Sequence, residues 1–167
     1  MDLTETLIWY YKGERNEALW LAGFGMFLMI MNALVWKNMH ANDLLRGMLY
    51  PLLFLGLLGI FAGGFNAWNN QKRLAELPRI YAQDTQSFKL METECFEGAG
   101  GVNSWWLPLK ITWSVLLLIG IGFGFLSKSD WWHGFAIGLL LWGTFGWVVD
   151  GFAHQRAKIY TTELLQP

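Results

Sequence analysis

Charge is what this chain has least of. Charged residues make up 15% of its 167 residues, where an ordinary soluble domain carries about 25%. None of them falls in four windows, residues 18–36, 47–68, 111–126 and 131–149. A soluble chain this short cannot hide four such stretches, whereas a bilayer takes about 20 apolar residues per helical span. Cysteine is nearly absent too: Cys95 is alone, which excludes a disulfide scaffold. Basic residues are not in excess, with 12 Lys plus Arg against 13 Asp plus Glu, so nucleic acid is not an expected partner.

Catalytic signatures are also missing. There is no C-x-x-C, no H-E-x-x-H and no G-x-S-x-G, and Gly98-Ala99-Gly100-Gly101 lacks the third glycine of a dinucleotide loop and the lysine of a phosphate loop. No ionisable group stands at mid-bilayer depth, which removes the usual handle for an ion-coupled pump. No catalytic residue, metal site or cofactor is expected.

What is present is a chain that is 54% hydrophobic and 17% aromatic. Backbone amides in hydrocarbon must be satisfied within each segment, so non-alternating runs such as Leu52-Leu53-Phe54-Leu55 read as helices and not barrel strands. The first window exceeds a signal-peptide core and is read as a permanent helix. The fold expected is all-α, a polytopic membrane four-helix bundle of two helical hairpins. An N-terminal interfacial helix precedes it, carrying Leu3, Leu7, Ile8 and Tyr11 on one face. An amphipathic cytoplasmic helix lies between spans two and three.

The chain divides on this reading into an interfacial segment (1–17), hairpin one (18–68), a helical segment with a glycine joint (69–104), hairpin two (105–153) and a tail (154–167). Span two should continue to Leu77 and break at Pro78. A second amphipathic helix should cover 79–97, and Gly98 to Gly101 should form a flexible joint. Residues 127–130 are only long enough for a tight helical hairpin. Nine Lys and Arg fall on the side of both termini and the central segment, against three (Lys37, Arg46 and Lys128) on the other. The positive-inside rule then places both termini in the cytoplasm, with the bacterial inner membrane as the expected location.

Polar residues at the ends of the spans supply the candidate site. Asp150 and His154 are one helical turn apart at the cytoplasmic mouth of span four, and Asn66, Asn70 and Arg156 join them in an expected polar cluster. Aligning residues 59–62 with 143–146 sets Asn66 opposite Asp150 and Asn70 opposite His154, the trace of an internal repeat. His40 and His133 belong on the far side and cannot complete a metal site. Asn32 is the intramembrane polar group, expected to face other helices. Gly59-x-x-x-Gly63, Gly120-x-x-x-Gly124 and Gly134-x-x-x-Gly138 permit close helix approach.

The function expected is that of a small non-enzymatic integral membrane protein acting through protein–protein contacts. It would be a subunit or assembly factor of a membrane complex, or an immunity partner that neutralises a membrane-directed toxin. The docking face would be Ile80, Phe88, Met91 and Cys95 on the amphipathic helix. Packing of that face onto the protein's own bundle is the structural alternative. The functional alternatives are a homo-oligomeric channel or small-solute transporter lined by Asn32, Asn66, Asp150 and His154, and a lipid-headgroup enzyme using Asp150 and His154.

Overall fold

In the computed structural model, which describes residues 3–36 and 42–166, five helices follow in order. They are α1 (Leu3–Trp36), α2 (Asp43–Gln83), α3 (Thr85–Glu97), α4 (Trp106–Leu126) and α5 (Asp130–Leu164), with a single 3-10 turn at Val102–Trp105 before α4. Residues 37–41, and with them Lys37 and His40, lie outside the described residues. Four helices are long and apolar enough to cross a membrane.

Their lengths decide the architecture. At 1.5 Å per residue the 21 residues of α4 reach about 30 Å, the thickness of the hydrocarbon core, whereas the 34, 41 and 35 residues of α1, α2 and α5 reach about 50 to 60 Å. The surplus is the first half of α1, the last third of α2 and the last third of α5. These overhangs emerge at the same end, where α3 closes over them into a head. Its core is Leu7, Tyr10, Tyr11, Leu77, Phe88, Phe96, Ala157, Tyr160 and Leu164, all outside the four uncharged windows. Side chains on the spans, such as Phe125 at 86% exposure, instead face outward as lipid-solvated helices require.

Two boundaries differ from expectation. Residues 3–17 do not form a separate interfacial helix. They are the first turns of α1, and Leu7, Tyr10 and Tyr11 are buried against the other overhangs. Pro78 does not end α2, which runs on to Gln83 with Leu77 buried in the head. An interior proline costs a helix one hydrogen bond and a local clash, and burial of Leu77 and Ile80 against the head core opposes that cost. The break falls at Asp84, whose carboxylate accepts from the Gln86 and Ser87 amides, both at 3.0 Å, and so starts α3. The glycine joint is a hydrogen-bonded turn, with Gly101 N–H donating to Gly98 O at 2.8 Å and Gly100 at φ +80°.

Within the membrane zone, α2 lies between α1 and α5, and α4 leans on α5. Close approach is made by missing side chains. A Cβ on Gly47 would sit 1.8 Å from Trp131 O, and one on Gly134 would sit 1.8 Å from Leu44 O, so α2 and α5 touch backbone to backbone. Gly59 and Gly63 do the same for α2 against α1, while Gly124 faces open space. The α4–α5 connection is the short helical hairpin expected, with Ser129 N–H bonded to Ser127 Oγ at 3.1 Å.

Candidate functional site

The three overhangs and the start of α4 enclose a cavity of about 320 Å³ beneath the head, lined by Glu14, Glu17, Asn66, Asn70, Arg73 and Asp150 together with Tyr10, Tyr11 and Trp106. Its deepest wall, at Leu21, Asn66 and Val149, reaches only about one turn into the uncharged windows. The cavity therefore sits at the ends of the uncharged helical segments and not along their length. Asp150 is placed by the residue one turn before it: Gly146 has no Cβ, which leaves room for the Trp113 ring to lie against α5 and donate its indole N–H to the Asp150 carboxylate.

Arg156 closes one side by pairing with two carboxylates of α1. Its NH2 group lies 2.8 Å from Glu14 Oε1 and also contacts Glu17. Burial pushes the Glu14 carboxyl above its usual range, and the guanidinium opposes that shift. Counting Arg156 against Glu14, Glu17 and Asp150, this wall carries an excess of negative charge.

The other side is fixed by a carboxylate inside the head. Glu92 is 1% exposed and accepts hydrogen bonds from Tyr11 Oη at 2.7 Å, Tyr160 Oη at 2.9 Å and Arg73 NH1 at 3.2 Å. Arg73 also donates to Tyr11 Oη at 2.9 Å and to Cys95 Sγ at 3.4 Å. Burial, and then the Glu92 charge, push the Tyr11 and Tyr160 phenols well above their ordinary values. Tyr10 stacks flat on Tyr160 with centroids 4.9 Å apart. Tyr11, Arg73, Glu92 and Tyr160 come from four different helices, so the cluster locks α1, α2, α3 and α5 together.

Of the expected polar cluster, Asn66, Asn70 and Asp150 share the cavity, and Arg156 caps it through the glutamates of α1. His154 is not part of it. It lies one turn further along the side of α5 that faces α4, outside the cavity lining, where it stacks on Trp106 at 4.9 Å and meets Lys110. The Asp150 carboxylate is held by Trp113 instead, and among the described residues no hydrogen bond joins it to His154. Of the positions paired by the internal alignment, Asn66 and Asp150 both line the cavity, whereas Asn70 lines it and His154 does not.

The expected docking face is mostly internal. Phe88 is fully buried, and Ile80 and Cys95 pack against the same core, leaving Met91 exposed. Asn32 is buried as expected and donates to Leu28 O at 2.9 Å, while its Oδ1 has no partner among the described residues. Sequence reasoning missed Glu14, Glu17, Arg73, Glu92, Tyr11 and Tyr160. The available signal was Glu92 standing between Phe88 and Phe96 at four-residue spacing, an acid in the middle of an apolar stripe. Among the described residues no group of three or more His, Cys, Asp or Glu is disposed to hold a metal ion. No family model matches the chain, and neither a curated protein nor a solved structure is similar to it.

Proposed function

We propose that this chain is a non-enzymatic integral membrane protein with four crossings that works through contacts with a protein partner in or at the membrane. Its head stands on the cytoplasmic side of a bacterial inner membrane. The observation that carries the reading is the one-sided burial of α3. Phe88, Glu92 and Phe96 clamp it into the head, while Leu90 at 69% exposure and Met91 at 43% remain uncovered on its outer side. A helix rigidly held by one face and apolar on part of the other suits recognition by a partner's groove or helix. The docking residues are then Leu90 and Met91, with Phe88 and Cys95 serving the head's own packing. A subunit or assembly factor of a membrane complex, and a partner that neutralises a membrane-directed toxin, are the two forms this role takes.

A photo-crosslinking residue placed at Leu90 in host membranes tests the reading. One discrete protein adduct, lost when Met91 is changed to Asp, supports it. An adduct pattern identical to that from the polar surface position Gln86 refutes it.

A second reading is favoured by the cavity alone: a homo-oligomer that handles a small polar solute, with Asn66, Asn70 and Asp150 as its contacts. The shallow depth of the cavity counts against a continuous path through one copy. Solute flux into liposomes that disappears in Asp150→Ala would favour this second reading over the first, and tight vesicles would remove it.

A further inference from the structure

A second recess, of about 490 Å³, lies on the outer flank of the head between the start of α4 and the last turns of α5, with Trp106, Lys110, His154 and Lys158 in its wall. We propose that this recess binds a phosphate group, and that the phosphate belongs to an anionic lipid headgroup.

The depth of the recess is right for a headgroup. Lys110 is one residue outside the uncharged window of α4, and His154 and Lys158 follow the uncharged window of α5 by one and two further turns. Side chains on a helix lean toward its N-terminus. The N-terminus of α5 is at the far side of the membrane, so Lys158 leans back toward the bilayer. That of α4 is on the near side, so Lys110 leans outward into the headgroup layer. Both lysines line the recess, and both of their charges act on His154.

Neither lysine is neutralised. Among the described residues neither forms an ion pair. The one carboxylate in the wall, Glu97, accepts from Asn103 Nδ2 at 2.6 Å, and Asn103 Oδ1 in turn accepts from the Trp106 indole at 3.0 Å. That chain fixes the Trp106 ring, on which His154 stacks at 4.9 Å with 27° between the planes.

The histidine is set up as a donor. Its Nδ1 stands 3.3 Å from Lys110 Nζ, and an ammonium can only donate, so Nδ1 accepts and the ring proton sits on Nε2. Burial, and then the neighbouring Lys110 and Lys158 charges, lower the affinity of the imidazole for a second proton. Two cations and a neutral N–H donor, held by an aromatic ring at the membrane surface, match the charge and acceptor geometry of a phosphodiester.

The test is native mass spectrometry of the full chain, released from neutral detergent in the presence of phosphatidylglycerol or of diacylglycerol with the same acyl chains. The expected result is retention of phosphatidylglycerol and not of diacylglycerol. Retention should fall on the order of 30-fold in Lys110→Gln/Lys158→Gln, less in Lys158→Gln alone, and survive in Lys110→Arg/Lys158→Arg. Lys158 is surface-exposed, so its single variant folds whatever becomes of the double one. Phosphatidylglycerol retention unchanged in Lys158→Gln, or diacylglycerol held as well as phosphatidylglycerol, overturns the proposal. Glycerol phosphate offered in solution separates the two sources of phosphate: displacement of the lipid only at large molar excess supports the lipid, and tight binding without any lipid overturns that assignment.

Discussion

Replacing Glu92 is the sharpest perturbation of this molecule, because one carboxylate serves three donors from three other helices. In Glu92→Ala the Tyr11 and Tyr160 hydroxyls lose their acceptor at a site that is 1% exposed. Each such hydrogen bond to a charged group is worth about 1.5 to 3 kcal/mol. The ion pair with Arg73 adds less, since that side chain is 33% exposed and water screens it, so ~1 kcal/mol is the most it supplies. Together these give a loss of about 3 to 7 kcal/mol in the free energy that closes the head, at least a hundredfold in the opening equilibrium. Both phenols donate to the same oxygen, Oε2, so Glu92→Gln can keep that acceptor and lose only the one facing Arg73, and it should cost only about 1 to 2 kcal/mol. Glu92→Met combined with Tyr11→Phe and Tyr160→Phe removes donors and acceptor together and should recover most of the loss. Hydrogen exchange of the amides of Thr85–Glu97 in detergent micelles reads this opening directly. Exchange in Glu92→Ala no faster than in the surface control Gln86→Ala would refute the argument that the carboxylate holds the head shut.

The helix contacts give a paired test. Gly134→Ala drives a methyl into the Leu44 carbonyl and should cost at least 1 to 3 kcal/mol, seen as a lowered aggregation temperature in detergent, while Gly122→Ala and Gly64→Ala meet nothing and should match the parent. At alkaline pH the head should fail cooperatively. Tyr10, Tyr11 and Tyr160 have raised folded values, so the folded chain keeps protons that an unfolded chain releases near pH 10, and stability falls as pH rises through that value. Ultraviolet difference spectra should show these phenols ionising only as the head unfolds, and early gradual ionisation would count against their burial. Arg156→Gln should destabilise the head by about 2 kcal/mol at neutral pH by leaving Glu14 and Glu17 unpaired. Because the Glu14 carboxyl is raised in the folded state, that loss should shrink as pH falls through its folded value toward about 4.3, as thermal midpoints at successive pH values would reveal. Labels at the two ends of the chain should react from the same face of sealed vesicles, and reaction from opposite faces would break the four-crossing reading.

How far the sequence could be read follows from the kind of information each feature needs. The spans were legible because exclusion of charge is a property of a single segment, and four segments without Asp, Glu, Lys or Arg need no knowledge of their neighbours. Asn66, Asn70 and Asp150 were legible as a group for a similar reason: they are the polar residues nearest the ends of two spans that must finish at one depth. Helix ends were harder, since Pro78 gives a local stop signal that burial of Leu77 overrides, and nothing within residues 1–17 states that Leu7 will meet Tyr160.

Least legible was the head itself. It exists because three helices run on past their uncharged segments at one end, and its polar lock joins residues 81, 68 and 19 positions apart in sequence. Each member alone has an ordinary reading: a tyrosine at an interface, a basic residue after a span, an acid on an amphipathic helix. Only Glu92 contradicts its own surroundings, set between two phenylalanines at helical spacing on the face that an amphipathic helix must bury. An acid on the buried face demands donors, and α3 is joined by turns to α2 and α4 alone. The donors then have to come from the overhangs that reach the same height, which are those of α1, α2 and α5. Their sequences at that height contain Tyr11, Arg73 and Tyr160. The lock could thus have been deduced by combining the depth of the spans with the one misplaced carboxylate, and helical periodicity taken segment by segment lacks that step.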